Sequence, residues 1–286
     1  MPTVLSPDIK ITLPGGDAYR DVLRVVDDHR LHTVCQSARC PNMAACWGER
    51  TATFMILGNI CTRACRFCSV QHGKPPELDL AEPDRVAEAV RDLQLDYAVI
   101  TSVNRDELPD GGASLFAETV RCIRALRSAC RIELLIPDFC GAREALDVVL
   151  RSRPDVLNHN VETVPRLYRS IQPWSSWETS LEVLRRSSEQ GFVTKSGIIV
   201  GLGETREEVL VAIRAVQETG CSILTIGQYL SPTPRHAPMH RVVSQNEFLE
   251  YEIFARNLGF AAVLSGALVR SSYRAKWAYE AACKNL

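Results

Sequence analysis

The chain has 286 residues, 46% of them hydrophobic and 23% charged, with a formal net charge of −1 and eleven cysteines. That composition suits a folded protein with a substantial core, and a near-neutral balance supplies no global basic field for nucleic acid. No apolar run approaches the ~18–20 residues that span a bilayer, the first residues lack a secretory signal, and cysteines grouped by threes are no disulfide framework. The expected setting is the reducing cytoplasm, with neither membrane nor nucleic acid as partner.

In chain order, the first informative feature is Cys35, Cys40 and Cys46, spaced C-x4-C-x5-C. A strand-like run follows at 51–57, and directly after it come Cys61, Cys65 and Cys68, spaced C-x3-C-x2-C. The second triad therefore sits on a turn at the carboxyl end of a strand. Three thiolates leave a tetrahedral zinc site or a four-iron cluster one protein donor short, and an open coordination position is where chemistry takes place. His72 offers a fully protein-ligated alternative, C-x3-C-x2-C-x3-H, so spacing alone leaves both iron–sulfur and zinc open. Cysteines that merely pack as small hydrophobes are the bland reading of the first triad. Two triads within thirty-four residues favour two metal clusters.

Strand-like and helix-like segments then alternate. Strands are expected at 97–103, 131–136, 155–160, 192–200 and 223–229, with an extra one at 261–264. Amphipathic helices are expected at 84–93, 114–128, 142–150, 180–190, 206–219 and 244–258, and Gly191, Gly220 and Gly259 each close a helical run. Such alternation predicts a parallel sheet with crossover helices. Six βα units fall short of the eight of a closed barrel, so the fold class expected is α/β, a partial (β/α)6 TIM-like barrel, in preference to an open doubly wound sheet. The boundaries expected are an N-terminal extension at 1–50 carrying the first triad, a barrel at 51–264 and a C-terminal extension at 265–286.

The strand ends carry further candidates. Asn104 and Asp106 follow the second strand. Asn160 and Glu162 end the fourth; at i and i+2 of an extended segment they point to one side and can grip a diol together. Gly197, Ile199, Gly201 and Glu204 close the fifth, where glycines permit close backbone approach to a ligand. Phe67 lies within the triad loop and suits either an adenine face or the barrel core. A tight strand-to-helix turn and a solvated capping loop are the ordinary alternatives for the last two strand ends.

Together the C-x3-C-x2-C loop, the Gly197–Glu204 stretch and the Asn160–Glu162 pair resemble the radical S-adenosylmethionine (SAM) superfamily. More narrowly, the chain resembles the lipoyl synthases. That likeness rests on the paired triads, Arg270-Ser-Ser-Tyr273, Cys40-Pro-Asn, Asn104-Arg-Asp-Glu-Leu-Pro-Asp-Gly-Gly and Gly227-Gln-Tyr-Leu-Ser-Pro-Thr. The resemblance implies two 4Fe-4S clusters and SAM as cofactors. Cys61, Cys65 and Cys68 would hold the cluster that cleaves SAM to a 5′-deoxyadenosyl radical. Cys35, Cys40, Cys46 and the unusual fourth ligand Ser272 would hold the cluster that donates sulfur. It implies SAM contacts at Phe67, Asn160, Glu162, Gly197, Ile199, Gly201 and Glu204. Asn104 and Asp106 stand where the superfamily's usual Gly-Gly-Glu, absent here, meets the methionine amine. The implied reaction inserts sulfur at C6 and C8 of an octanoyl-lysine on a lipoyl carrier domain or protein, with an electron donor such as flavodoxin or ferredoxin. These carbons are unactivated, and general acid–base catalysis, worth about 10²–10⁴-fold, cannot deprotonate them. A biotin synthase-like sulfur transferase and a zinc-binding interaction protein are the competing readings. Arg39, Arg50, Arg63 and Arg66 flank the triads, suited to offset cluster charge, to dock an acidic carrier, or simply to be solvated. Cys122, Cys130, Cys140 and Cys221 are expected to be packing residues, and Cys283 carries no assigned role.

Overall fold

The computed structural model describes residues 13–285; the first twelve residues of the 1–50 extension and residue 286 lie outside the described residues. The elements run α1 (Asp17–Asp28), β1 (His32–Thr33), α2 (Val34–Ser37), α3 (Met43–Gly48), β2 (Thr53–Ile56), α4 (Glu82–Asp92), β3 (Tyr97–Ser102), α5 (Ala113–Leu126) and β4 (Arg131–Leu135). They continue with α6 (Arg143–Arg151), β5 (Val156–Asn158), α7 (Tyr168–Ile171), α8 (Trp177–Glu189), β6 (Val193–Val200), α9 (Arg206–Gln217) and β7 (Ile223–Gln228). The chain closes with α10 (Gln245–Asn257), β8 (Ala262–Gly266) and α11 (Ala275–Asn285).

One sheet holds all eight strands in sequence order. Strands β2 to β8 are parallel, and β1 adds antiparallel to β2 through His32–Met55 and Thr33–Phe54. Six βα units plus a seventh parallel strand is the expected partial barrel; β1 was not legible, because two residues show no period. Both faces of the strands are covered, so β2, β3 and β7 read as almost unbroken buried runs. Helix starts follow local chemistry: Ser176 and Ser244 accept N–H bonds at their N-caps, and Thr205 with Glu208 forms a reciprocal capping box.

The missing ladder between the sheet's ends leaves an opening, and the C-terminal helix helps to fill the barrel. Buried Ala278 and Ala282 of α11 belong to one cluster with Ile223 of β7 and Ala262 and Leu264 of β8, while Ala275 packs with Tyr97 and Val99 of β3. Small alanines allow the helix to lie close to strands on opposite sides. Below the open end sits a fully buried ion pair. Lys195 Nζ donates to both Glu133 oxygens (2.9 and 3.1 Å), and Tyr97 Oη and Asn158 Nδ2 complete the carboxylate's shell at 2.7 and 2.8 Å. A buried charge needs this full satisfaction.

Candidate active site: two cysteine triads on one cavity

A cavity of about 700 Å3 opens at the carboxyl ends of the strands, lined by Met55, Thr101, Leu135, Gly197 and Thr225 from five of them. Cys61, Cys65 and Cys68 line one part, Cys35 and Cys40 another, and Ser272 faces the same space. Cys46 is not on the wall, yet its thiol lies within electrostatic reach of Cys35 and Cys40. Short turns gather this first triad: the Cys40 N–H donates to Cys35 O (3.0 Å), and the Cys46 N–H to Asn42 O (2.9 Å).

The two extensions are sewn together at this point. Asn42 Nδ2 donates to Leu268 O at 2.5 Å, and the Arg270 guanidinium is near enough to Cys40 to feel its charge. Gly227 near the end of β7 permits the approach. A Cβ there would overlap the Val269 carbonyl oxygen and stand 3.1 Å from its carbon. Residues almost at the two ends of the chain thus meet over the same strand.

Around the second triad, the N–H groups of Asn104 and Arg63 point at Cys61 Sγ, at 3.3 and 3.4 Å. Burial, reinforced by neighbouring thiols, pushes Cys65 and Cys46 up to about 12 and Cys68 up to about 11, and Cys35 also upward. Burial of this kind disfavours the thiolates of Cys35, Cys46, Cys65 and Cys68, and a bound cation would offset it. Among the described residues, no three His, Cys, Asp or Glu side chains converge closely enough to enclose a single metal ion. A lone zinc, with Zn–S about 2.3 Å, would require the loop of Cys61, Cys65, Cys68 and His72 to tighten.

The wall also holds unpartnered polar atoms: Asn104 Oδ1, Asn160 Oδ1 and His159 Nε2 are buried without a hydrogen-bond partner. Buried acceptors and donors are ordinarily satisfied, so these await a ligand. They fit a zwitterionic nucleoside such as SAM, with amide oxygens for ammonium or hydroxyl donors. Asn160 Nδ2 donates to Glu162 Oε1 at 3.2 Å, so the expected pair does meet. The route is not a plain extended segment, because Glu162 has φ 62° and bridges to Ile198. Burial pushes the Glu162 carboxyl up to about 7. Gly197 makes room beside it, since a Cβ would stand 2.7 Å from Asn160 Oδ1. Ile199 lines the cavity too, and Phe67 packs with Ile171 and Tyr229 at its rim. His159 was missed by sequence reasoning; its position between two asparagines at a strand end was the available signal.

Three expected contacts receive other work. Asp106 does not line the cavity; both its oxygens accept from Arg63 at 2.8 Å. Glu204 turns inward and accepts the Gly201 and Leu202 N–H groups at 2.6 and 2.8 Å, bracing the turn after β6. Gly201 serves that turn with φ 100°, where a Cβ would come within 2.8 Å of Arg241 O. Arg63 itself is buried and bridges Asp106 and Asp138 (2.7 Å), so it ties loops together instead of presenting charge. Arg50 is paired with Asp21. Cys122, Cys130 and Cys221 are buried as expected, but Cys140 is exposed, its thiol beside Arg63 Nη2 at 3.0 Å.

A barrel carrying a three-cysteine loop after its first parallel strand defines a class. The sequence profile of the radical SAM superfamily matches residues 55–216, more than half of the chain, and the chain belongs to that superfamily. Among solved structures, the fold is similar to methylornithine synthase (TM-score 0.56, 15% identity, 90% of this chain and 85% of that one). It is also similar to the hydrogenase maturase HydG (TM-score 0.57, 14% identity, 92% and 70%). The lipoyl synthase of Rubrobacter xylanophilus is 54% identical over 93% of this chain and 84% of its own length. That of Roseiflexus sp. is 52% identical over 93% and 89%. Within the superfamily, the chain belongs to the lipoyl synthase family.

Proposed function

We propose that this protein inserts two sulfur atoms, at C6 and C8, into an octanoyl chain held in amide linkage on a lysine of a carrier domain. One observation carries this reading: Cys61, Cys65 and Cys68 line the same cavity as Cys35, Cys40 and Ser272, with Cys46 just behind its wall, so a hydrogen-abstracting centre and a sulfur source can reach one substrate. When bound, the cluster on Cys61, Cys65 and Cys68 together with SAM supplies a one-electron reductive cleavage and a radical able to take hydrogen from an unactivated carbon. The protein's own groups set the conditions for it. The N–H groups of Asn104 and Arg63 hold Cys61 Sγ in place, Asn104 Oδ1 offers an acceptor to the methionine ammonium, and Asn160 with Glu162 holds the ribose hydroxyls. Phe67 with Ile171 and Tyr229 gives the rim an apolar wall that excludes water from a reactive species.

The second cluster is a substrate in this scheme, its sulfide leaving with the product. Cys35, Cys40, Cys46 and Ser272 are its holders, and a serine alkoxide, a harder donor than thiolate, binds a soft cluster less firmly and lets an iron depart. Each insertion consumes one SAM and one electron, drawn from a small carrier such as flavodoxin or ferredoxin. Ser272→Cys tests the assignment: SAM cleavage is expected to persist while dithiolated product falls at least about tenfold, the scale of lost ligand tuning. Wild-type yield from that variant would remove Ser272 from the role.

A further inference from the structure

Charge is distributed unevenly about the cavity mouth. Among the segments that reach its wall are 34–48, 61–76, 163–177, 227–246 and 266–279. Together they contain eleven Lys and Arg, and the nearest acids, Glu49, Glu77, Glu162, Glu178, Glu247 and Glu280, each stand one residue beyond a segment end. Several acids on the remaining loops at this end are already engaged, while Glu49 and Glu178 are exposed. Asp106 and Asp138 hold Arg63, Glu107 holds Arg105, and Asp110 and Glu204 accept backbone N–H groups. Of the eleven cations, Arg63, Arg166, Arg241 and Lys276 join ion pairs. Arg39, Arg66, Lys74, Arg169, Arg235 and Arg274 are exposed and have no carboxylate partner among the described residues.

Three of these loops form one surface. The Arg66 N–H donates to Ile171 O at 2.8 Å, and the Ala237 N–H donates to Arg66 O at 2.8 Å. His236 Nε2 lies 3.0 Å from Cys68 O. The loop bearing Arg66 is thus laced between those bearing Arg169 and Arg235. Beside them Trp174, 50% exposed, stands between Gln172 and Ser175 of the cavity wall. Exposed Trp and unpaired Arg on hydrogen-bonded neighbouring loops are the residue types enriched in binding hot spots.

We propose that Arg66, Arg169, Trp174 and Arg235 form the docking surface for the carrier domain, which presents an acidic face around its octanoylated lysine. This rests on the function proposed above, since it is the attachment of the acyl chain to a protein that brings an acidic partner to this mouth. A flexible acyl-lysine arm then enters the cavity while the carrier stays outside. Opposite charge at a rim acts chiefly on encounter and is screened by salt, with a Debye length of about 8 Å at physiological ionic strength.

The test compares an octanoylated carrier domain with a short uncharged octanoyl-lysine peptide, using anaerobic holoenzyme. R169E/R235E is expected to raise the carrier KM at least about tenfold at low salt and to abolish its salt dependence, with peptide turnover within about twofold of wild type. A control reversal at the opposite end of the barrel, R151E/K284E, is expected to change neither. A carrier KM unchanged in R169E/R235E, or peptide turnover falling in step with carrier turnover, would overturn the docking surface. So would inhibition by a single-stranded oligonucleotide where an unacylated carrier domain does not compete. Failure of wild type on both substrates would instead remove the function on which the surface rests.

Discussion

Gly227→Ala tests how the tail is brought to the first triad. The added Cβ would overlap the Val269 carbonyl oxygen and press on Arg270 Nη1 at 3.3 Å. The main obstacle is backbone, so no rotamer change relieves it, and the 269–272 loop must retreat by roughly an ångström at an overpacking cost of about 1–3 kcal/mol. That converts to roughly a five- to 150-fold loss in the population holding Ser272 in place. The Cys61 loop lies on other strands, so SAM cleavage should continue. Anaerobically purified variant is expected to lose iron, falling from about eight toward about four per chain, and to form little dithiolated product. Gly266→Ala is the matched control, because its Cβ meets only Val269 Cγ2 at an ordinary 3.6 Å. Full iron content and wild-type product from Gly227→Ala would refute the packing argument.

Other outcomes follow from buried charge. Lys195→Met strands the Glu133 carboxylate inside the barrel and should cost about 3–5 kcal/mol, whereas Lys195→Met with Glu133→Leu should recover most of it; a single-variant loss below about 1 kcal/mol in anaerobic thermal unfolding would contradict this. His32 is held below its ordinary value by burial and by the Arg85 charge. A depressed histidine binds fewer protons folded than unfolded, so its stability contribution is present above pH ~6.5 and is lost as pH falls below it. His32→Gln should therefore flatten the decline in melting temperature between pH 7.5 and 5.5, and parallel declines would count against it.

Much of this was written in the sequence. Strands such as β2, β3 and β7 are legible because double-sided burial favours nearly continuous apolar runs, and helix ends because Gly191, Gly220 and Gly259 take positive φ. The triads are legible because metal ligation fixes residue type and spacing. What could not be read is long-range. Nothing in the local text says that Asp106 belongs to Arg63 or that Asn42 reaches Leu268. Such pairings depend on which loops the barrel brings together. The helices of the extensions escaped for different reasons: α2 and α3 are too short for a period to show and cysteine spacing dominates their text, whereas α1 and α11, of 12 and 11 residues, were long enough to read and were passed over.

The most direct measurement is a single anaerobic turnover by protein whose clusters carry isotopically labelled sulfide, given SAM, reductant and an octanoyl-lysine peptide. Mass analysis is expected to find both inserted sulfur atoms labelled, with loss of the cluster on Cys35, Cys40 and Cys46. Unlabelled sulfur in the product, or protein that holds stoichiometric zinc and leaves the octanoyl chain untouched, would contradict the shared-cavity account.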